Sequence, residues 1–160
     1  MRFFSLILIL AVALSLVCCG TNNKPCEKIL NGITDDVKNL PAGKIYRSHS
    51  EAGTDGYFTE SMRKAMYGED SERYFSLMEE YALFVSSGEP CEIAVFKCYS
   101  ATDARSVEFM CMNRLQLLRV ALNGTGFSSL CDGIRVIREG RYVVFVMAKG
   151  YCGNPQKAVK

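Results

Sequence analysis

The chain has 160 residues, of which 49% are hydrophobic, and it carries 19 basic and 17 acidic side chains. This length suits one domain with a core of its own. The net charge of +2 gives no reason to expect nucleic acid as a partner.

The first twenty residues, MRFFSLILILAVALSLVCCG, hold one cation, Arg2, followed by an uncharged and mostly apolar run, Phe3 to Val17. This run is typical of a signal peptide and is short for a membrane-spanning helix, which needs about 20 residues. A lipoprotein signal peptidase cleaves between a small residue and the cysteine that receives lipid. Cys18 fits the small position at the cleavage site, and Cys19 fits the lipid acceptor. An ordinary secretory signal or an uncleaved anchor helix is the alternative.

These features divide the chain into a lipoprotein signal peptide (1–18), a lipid-anchored tether (19–25), a single α+β domain (26–152) and a C-terminal tail (153–160). Cleavage removes one basic and no acidic residue, which leaves 18 basic and 17 acidic side chains. Two or more acyl chains give stable membrane attachment. We therefore expect a protein held on the extracytoplasmic face of the cell membrane, with membrane lipid as its partner through acylated Cys19.

The domain opens with PCEKILNGITDDVKNL, in which Ile29, Ile33, Val37 and Leu40 recur at helical spacing before Pro41. The next stretch, residues 42–58, has three glycines and no periodicity. It is predicted to be a long connection, and such connections are often functional.

A short helix is then predicted between Thr59, its N-cap, and Gly68. Strands follow over 81–86 and 92–99 and form a hairpin. The clearest helix begins after Ser100, which forms a capping box with Asp103, and ends before Gly124. A last hairpin over 133–150 turns at Glu139 and Gly140. The predicted fold is α+β: an antiparallel sheet of about four strands, in two hairpins, covered by one long amphipathic helix, with further helices near the N-terminus.

Three stretches together resemble an uncharacterised family of small Gram-positive lipoproteins, a domain-of-unknown-function family. They are the residues around Cys18 and Cys19, the segment MYGEDSERYFSLMEEYALFVSSGEPCEIAVFKC and the closing REGRYVVFVMA. The resemblance extends over residues 59–148. The resemblance implies this fold and a location at the membrane, and it implies no activity.

Six cysteines follow the signal peptide: Cys26, Cys91, Cys98, Cys111, Cys131 and Cys152. None has the CxxC spacing of zinc ribbons or thioredoxin-like sites. Cys98 and Cys111 flank the capping box, and Cys131 and Cys152 flank the last hairpin. These four are candidate disulfide partners, although six cysteines allow 15 full pairings.

Other candidate sites have simple structural interpretations. His49, the only histidine, suits a general base but more often lies on a solvated loop. Met110, Cys111 and Met112 are soft ligands for Cu(I), yet neighbours on a helix point about 100° apart. A third group either lines a groove or fills a second layer of core, and the latter is favoured; its members are Tyr46, Tyr57, Phe58, Tyr67, Tyr74 and Phe75.

The sequence thus favours a non-enzymatic binding or scaffolding module without cofactor or metal. Its partner would be an unknown protein or small-molecule ligand, bound on the long connection or on an exposed sheet face. The alternative is a thiol-redox or soft-metal (copper or zinc) handling lipoprotein, and a hydrolase that uses His49 is a third.

Overall fold

The structure, a computed structural model, describes residues 23–160. The predicted signal peptide, the cleavage position Cys18 and the lipid acceptor Cys19 lie outside the described residues. Among the helices of residues 23–160, none has the length and hydropathy needed to cross a bilayer.

One antiparallel sheet of five strands forms the centre of the molecule, in the order β1-β2-β3-β5-β4. The two strands in the middle, β3 and β5, are buried at every residue. Side chains alternate between the faces of a strand, so both faces of the sheet must be covered. The strands are β1 (Gly43–Arg47), β2 (Met78–Ser86), β3 (Glu92–Cys98), β4 (Arg135–Glu139) and β5 (Tyr142–Met147).

Helices pack on both faces of this sheet. The longest one, α4, lies on one face together with α2, α3 and a 3-10 helix, and the other face is covered by α1 and α5. The helices are α1 (Cys26–Asp35), α2 (Glu60–Tyr67), α3 (Ser71–Phe75), α4 (Ala101–Leu122), the 3-10 helix (Ser128–Gly133) and α5 (Pro155–Val159).

The α+β class is confirmed, whereas the expected number of about four strands is wrong. The additional strand is β1, which lies within the segment predicted to be a long connection. β1 is only five residues long and its first two residues are exposed, so its sequence shows no alternation of apolar and polar residues. Pairing with β2 supplies its hydrogen bonds and makes it a strand.

The sheet face proposed as an exposed binding surface is also absent from the described structure. Ile29, Leu30 and Ile33 of α1 are almost completely buried against that face. Residues 153–160, predicted as a tail, include α5, whose Val159 is 1% exposed and packs in the same layer. The packed body of the described residues therefore includes α5.

The local helix signals are confirmed at two N-termini. The hydroxyl of Thr59 accepts a hydrogen bond from the Met62 backbone N–H at 3.2 Å. The hydroxyl of Ser100 accepts one from the Asp103 backbone N–H at 3.1 Å, which begins α4 where the capping box predicted. Each hydroxyl satisfies a donor that its helix leaves free.

Candidate functional site

The larger of two described cavities lies at one end of the sheet and has a volume of about 560 Å³. This volume is in the range of small-molecule sites. Three segments form it: the residues after α1, the tip of the β2–β3 hairpin and the end of β5. We call it the distal cavity, and its lining consists of Val37, Lys38, Asn39, Pro41, Glu89, Pro90, Cys91, Lys149 and Gly150.

Two cations dominate the charge of the distal cavity. Lys38 and Lys149 are exposed, and neither forms an ion pair within residues 23–160. Glu89 is the one carboxylate of the lining. Asn39 has a φ of +58°, a left-handed conformation that asparagine tolerates better than most residues. The cavity thus offers two free ammonium groups to an anionic ligand.

Cys91 also lines the distal cavity, and this residue is only 5% exposed. Burial, and then the charge of Glu92, raise its pKa from 9.0 to about 11. The thiol is therefore neutral at physiological pH and behaves as a small apolar group, because the nucleophilic form of cysteine is the thiolate.

The N-terminal end of the described chain lies at the opposite end of the sheet. The Oδ1 atom of Asn23 accepts a hydrogen bond from Nζ of Lys97 at 2.6 Å, and the Lys24 carbonyl accepts one from the Tyr142 hydroxyl at 2.8 Å. Lys97 is near the end of β3, whereas Cys91 precedes its start. The seven residues of β3 thus separate the two regions by about 20 Å.

A buried polar cluster lies on the α4 side of the sheet. Glu92, 2% exposed, accepts hydrogen bonds at Oε2 from Arg114 of α4 and at Oε1 from the Tyr67 hydroxyl of α2, the latter at 3.0 Å. Burial, and then the charge of Glu92, raise the pKa of Tyr67 well above its usual value. Sequence reasoning missed this cluster, because Glu92 begins an otherwise apolar strand and its partners are distant in the chain.

A second cavity, of about 400 Å³, opens between α2 and α4 above this cluster. We call it the helix cavity. The charged residues of its lining are two exposed acids, and neither forms an ion pair within the described part of the chain. The lining consists of Tyr67, Gly68, Glu69, Asp70, Tyr74, Asn113, Gln116 and Leu117.

Five of the six aromatic residues of the middle of the chain, all except Tyr57, belong to the core on the α4 side of the sheet. Phe58 is fully buried, and its ring centroid lies 5.2 Å from that of Tyr46 and 5.8 Å from that of Phe75. Tyr67 packs edge-on against Phe58 at 6.5 Å. Of the six aromatic residues, only Tyr67 and Tyr74 line one of the two described cavities, and both line the helix cavity. The packing interpretation therefore holds for most of this group.

All six described cysteines are free thiols in the structure, and only Cys152 is exposed. The disulfides considered for Cys98 with Cys111 and for Cys131 with Cys152 are not formed and stay predictions. Burial chiefly raises the pKa of Cys98 to about 12 and that of Cys111 well above its usual value. Such thiols are poor nucleophiles at neutral pH.

The other candidate residues are not brought together. His49 is exposed in the turn after β1. Met110 and Cys111 are buried in the core, whereas Met112 is 43% exposed, so the three soft ligands of α4 point to different surroundings. Within residues 23–160, no cluster of three or more His, Cys, Asp or Glu side chains has an arrangement suited to a metal ion.

Comparisons with known proteins give no relative from which a role could be transferred: no protein-family model, no curated protein and no solved structure matches the chain. The candidate function therefore depends on the geometry of the described residues and on the signals in the sequence.

Proposed function

We propose that this protein is an extracytoplasmic lipoprotein, attached to the membrane through acylated Cys19, that acts as a non-enzymatic binding module. The observation that carries the proposal is that the N-terminal entry of the chain and the distal cavity lie at opposite ends of the sheet. The chain enters at the end of the sheet marked by Lys97 and Tyr142, and the distal cavity opens at the other end.

The short tether strengthens this arrangement. Three residues lie between Cys19 and Asn23, and the four Cα–Cα steps from one to the other span at most about 14 Å. The membrane would thus lie close to the entry end of the sheet. A ligand in the distal cavity would be bound about 20 Å farther out, along the length of β3.

The lining of the distal cavity favours a small anionic ligand, such as a carboxylate or a phosphate. Lys38 and Lys149 supply two ammonium groups, while Val37, Pro41 and Pro90 supply apolar surface. Such a mixture of apolar walls and few charged groups is typical of ligand sites.

The lipid attachment is tested by mass spectrometry of the protein purified from membranes of a bacterium that processes lipoproteins. We expect the mature chain to begin at Cys19 and to carry the mass of a diacylglyceryl group. Cys19→Ser should abolish the modification. Cys18→Ser is the matched control, since serine is also small and should permit cleavage. An unmodified wild-type N-terminus would refute the attachment.

The ligand class is tested by thermal unfolding with inorganic phosphate or succinate at millimolar concentration. Binding to the native state raises the Tm, and we expect an increase of about 2–4 °C with at least one probe. Lys149→Met should remove the increase. Lys157→Met, which removes an exposed lysine outside the lining, should preserve it. A Tm unaffected by both probes would refute the anionic ligand and leave the lipid attachment standing.

A further inference from the structure

The outward face of α4 is apolar. The large hydrophobic side chains exposed in residues 23–160 all lie between Tyr99 and Val120, and four of them are on α4. Phe109 is 58% exposed and Val120 is 79% exposed. We call this surface the α4 outer face; its members are Phe109, Met112, Gln116, Leu117 and Val120. Gln116 is polar, and the other four members are large apolar side chains; an exposed cluster of this kind indicates an interaction surface.

The charges on one edge of the α4 outer face are basic. Arg105 and Arg119 are exposed and form no ion pair within the described residues. At 100° per residue, Arg105, Met112 and Arg119 turn to one side of the line from Phe109 to Val120. The acids of α4 are half-buried, and Glu108 is paired with Arg138 at 2.8 Å.

The opposite edge of the same face is acidic. Asn113 and Leu117 turn to that side, where they line the helix cavity together with Glu69 and Asp70. The α4 outer face is therefore an apolar stripe with a basic edge and an acidic edge. Along the axis of α4, Arg119 lies less than one helical turn from Gln116 and Leu117, the residues that line the helix cavity with the two acids.

This charge pattern is complementary to itself in one orientation. When two copies face each other about a two-fold axis parallel to α4, the basic edge of each copy lies opposite the acidic edge of the other. A two-fold axis perpendicular to α4 would instead place the basic edges together. Opposite charges across an interface fix the register, and like charges are costly.

The proposed lipid attachment is compatible with the same orientation. Two residues separate the entry end of β3 from the start of α4, and Arg114 reaches Glu92 at the other end of that strand, so the helix would run away from the membrane. A symmetric dimer whose two copies are anchored in the same leaflet has its two-fold axis along the membrane normal. This axis is then parallel to α4.

We propose that the α4 outer face forms a parallel homodimer in which Arg119 of each copy pairs with Glu69 and Asp70 of the other. The inference rests on the proposed lipid attachment for its orientation. A face on one helix of 22 residues, about 33 Å long, gives a small interface. Confinement to the membrane would raise the effective concentration of each copy around the other, which favours such a dimer.

The test is disulfide cross-linking of the full acylated chain in bacterial membranes. Cys152→Ser removes the exposed thiol, and Gln116→Cys then places one thiol near the two-fold axis, where it meets its own counterpart. We expect an oxidised dimer. Asn31→Cys is the control and should give no dimer, because Asn31, like Gln116, is an exposed amide residue on a helix but lies on α1.

Charge variants test the pairing. Arg119→Glu should reduce the Gln116→Cys cross-link by about fivefold, and adding Glu69→Lys and Asp70→Lys should restore it. If the Gln116→Cys variant is bound to the membrane but forms no dimer, the homodimer is refuted and the attachment stands. The same holds if the variant is linked through this cysteine to a different protein. Protein in the soluble fraction would refute the attachment, and a dimer at Gln116→Cys there would uphold the interface.

Discussion

The Oε2 atom of Glu92 accepts two hydrogen bonds from the guanidinium group of Arg114, one from Nε at 3.0 Å and one from Nη2 at 2.7 Å. The carboxylate is 2% exposed and the arginine side chain is 16% exposed. This pair ties α4 to the start of β3 at the end of the sheet away from the N-terminus. It therefore fixes the position of the long helix on the sheet.

We expect Arg114→Met to lower the free energy of unfolding by about 3–5 kcal/mol, because it leaves the Glu92 carboxylate buried without its cation. Arg138→Met is the matched control, since it breaks the more exposed pair with Glu108 and should cost less than about 1 kcal/mol. Urea unfolding measures both.

A double variant separates charge from packing at this position. Glu92→Leu combined with Arg114→Met removes both charges and should recover most of the stability lost in the single variant, because apolar pairs often replace buried ion pairs without loss. A loss in Arg114→Met as small as that in Arg138→Met would contradict the expected cost of leaving the Glu92 carboxylate unpaired.

The protein should lose stability at alkaline pH because of its buried thiols. Folding raises the pKa of Cys91 from 9.0 to about 11 and that of Cys98 to about 12, chiefly by burial. Below pH 9 both states hold these protons. Above it the unfolded state releases them first, so the free energy of unfolding falls as pH rises toward 11–12.

Urea unfolding between pH 8 and pH 11 measures this slope. Cys98→Ala should make the decline shallower, by up to about 1.4 kcal/mol per pH unit. Cys152→Ala, at the exposed cysteine, should leave the slope unchanged. A decline of the same steepness in the two variants would exclude Cys98 as its source.

Thiol labelling should distinguish the single exposed cysteine from the five buried ones. Iodoacetamide should modify Cys152 in the native protein, and it should modify all six cysteines in urea without reductant. Mass spectrometry counts the adducts. Fewer than six in urea would reveal a disulfide and would support a pairing such as Cys98 with Cys111.

The edge strand β1 depends on a glycine. A Cβ atom at Gly43 would lie 2.6 Å from the ring of Phe84 and 2.6 Å from the carbonyl oxygen of Val85 on β2. Gly43→Ala should therefore destabilise the protein by about 1–3 kcal/mol. Gly88→Ala, in open space at the hairpin tip, is the control and should have little effect. Similar Tm values for the two variants would contradict the close approach of β1 and β2.

Local signals in the sequence determined the elements whose stabilisation is local. The hydroxyls of Thr59 and Ser100 begin α2 and α4 where their spacing predicted, because a helix N-terminus is satisfied by a nearby acceptor. The turn predicted at Glu139 and Gly140 likewise joins β4 to β5. The predicted lipid attachment at Cys18 and Cys19 also depends on a few consecutive residues, and it stays a prediction.

Only the tertiary structure decided which distant residues meet. β1 exists through pairing with β2, and the second sheet face is closed by α1 and α5, which the pattern of either helix could not specify. The contact of Glu92 with Arg114 and the assembly of the distal cavity from three separate segments arise in the same way. Burial and pairing across the sheet depend on the packing of the whole chain, whereas caps and periodicity depend on neighbours along it.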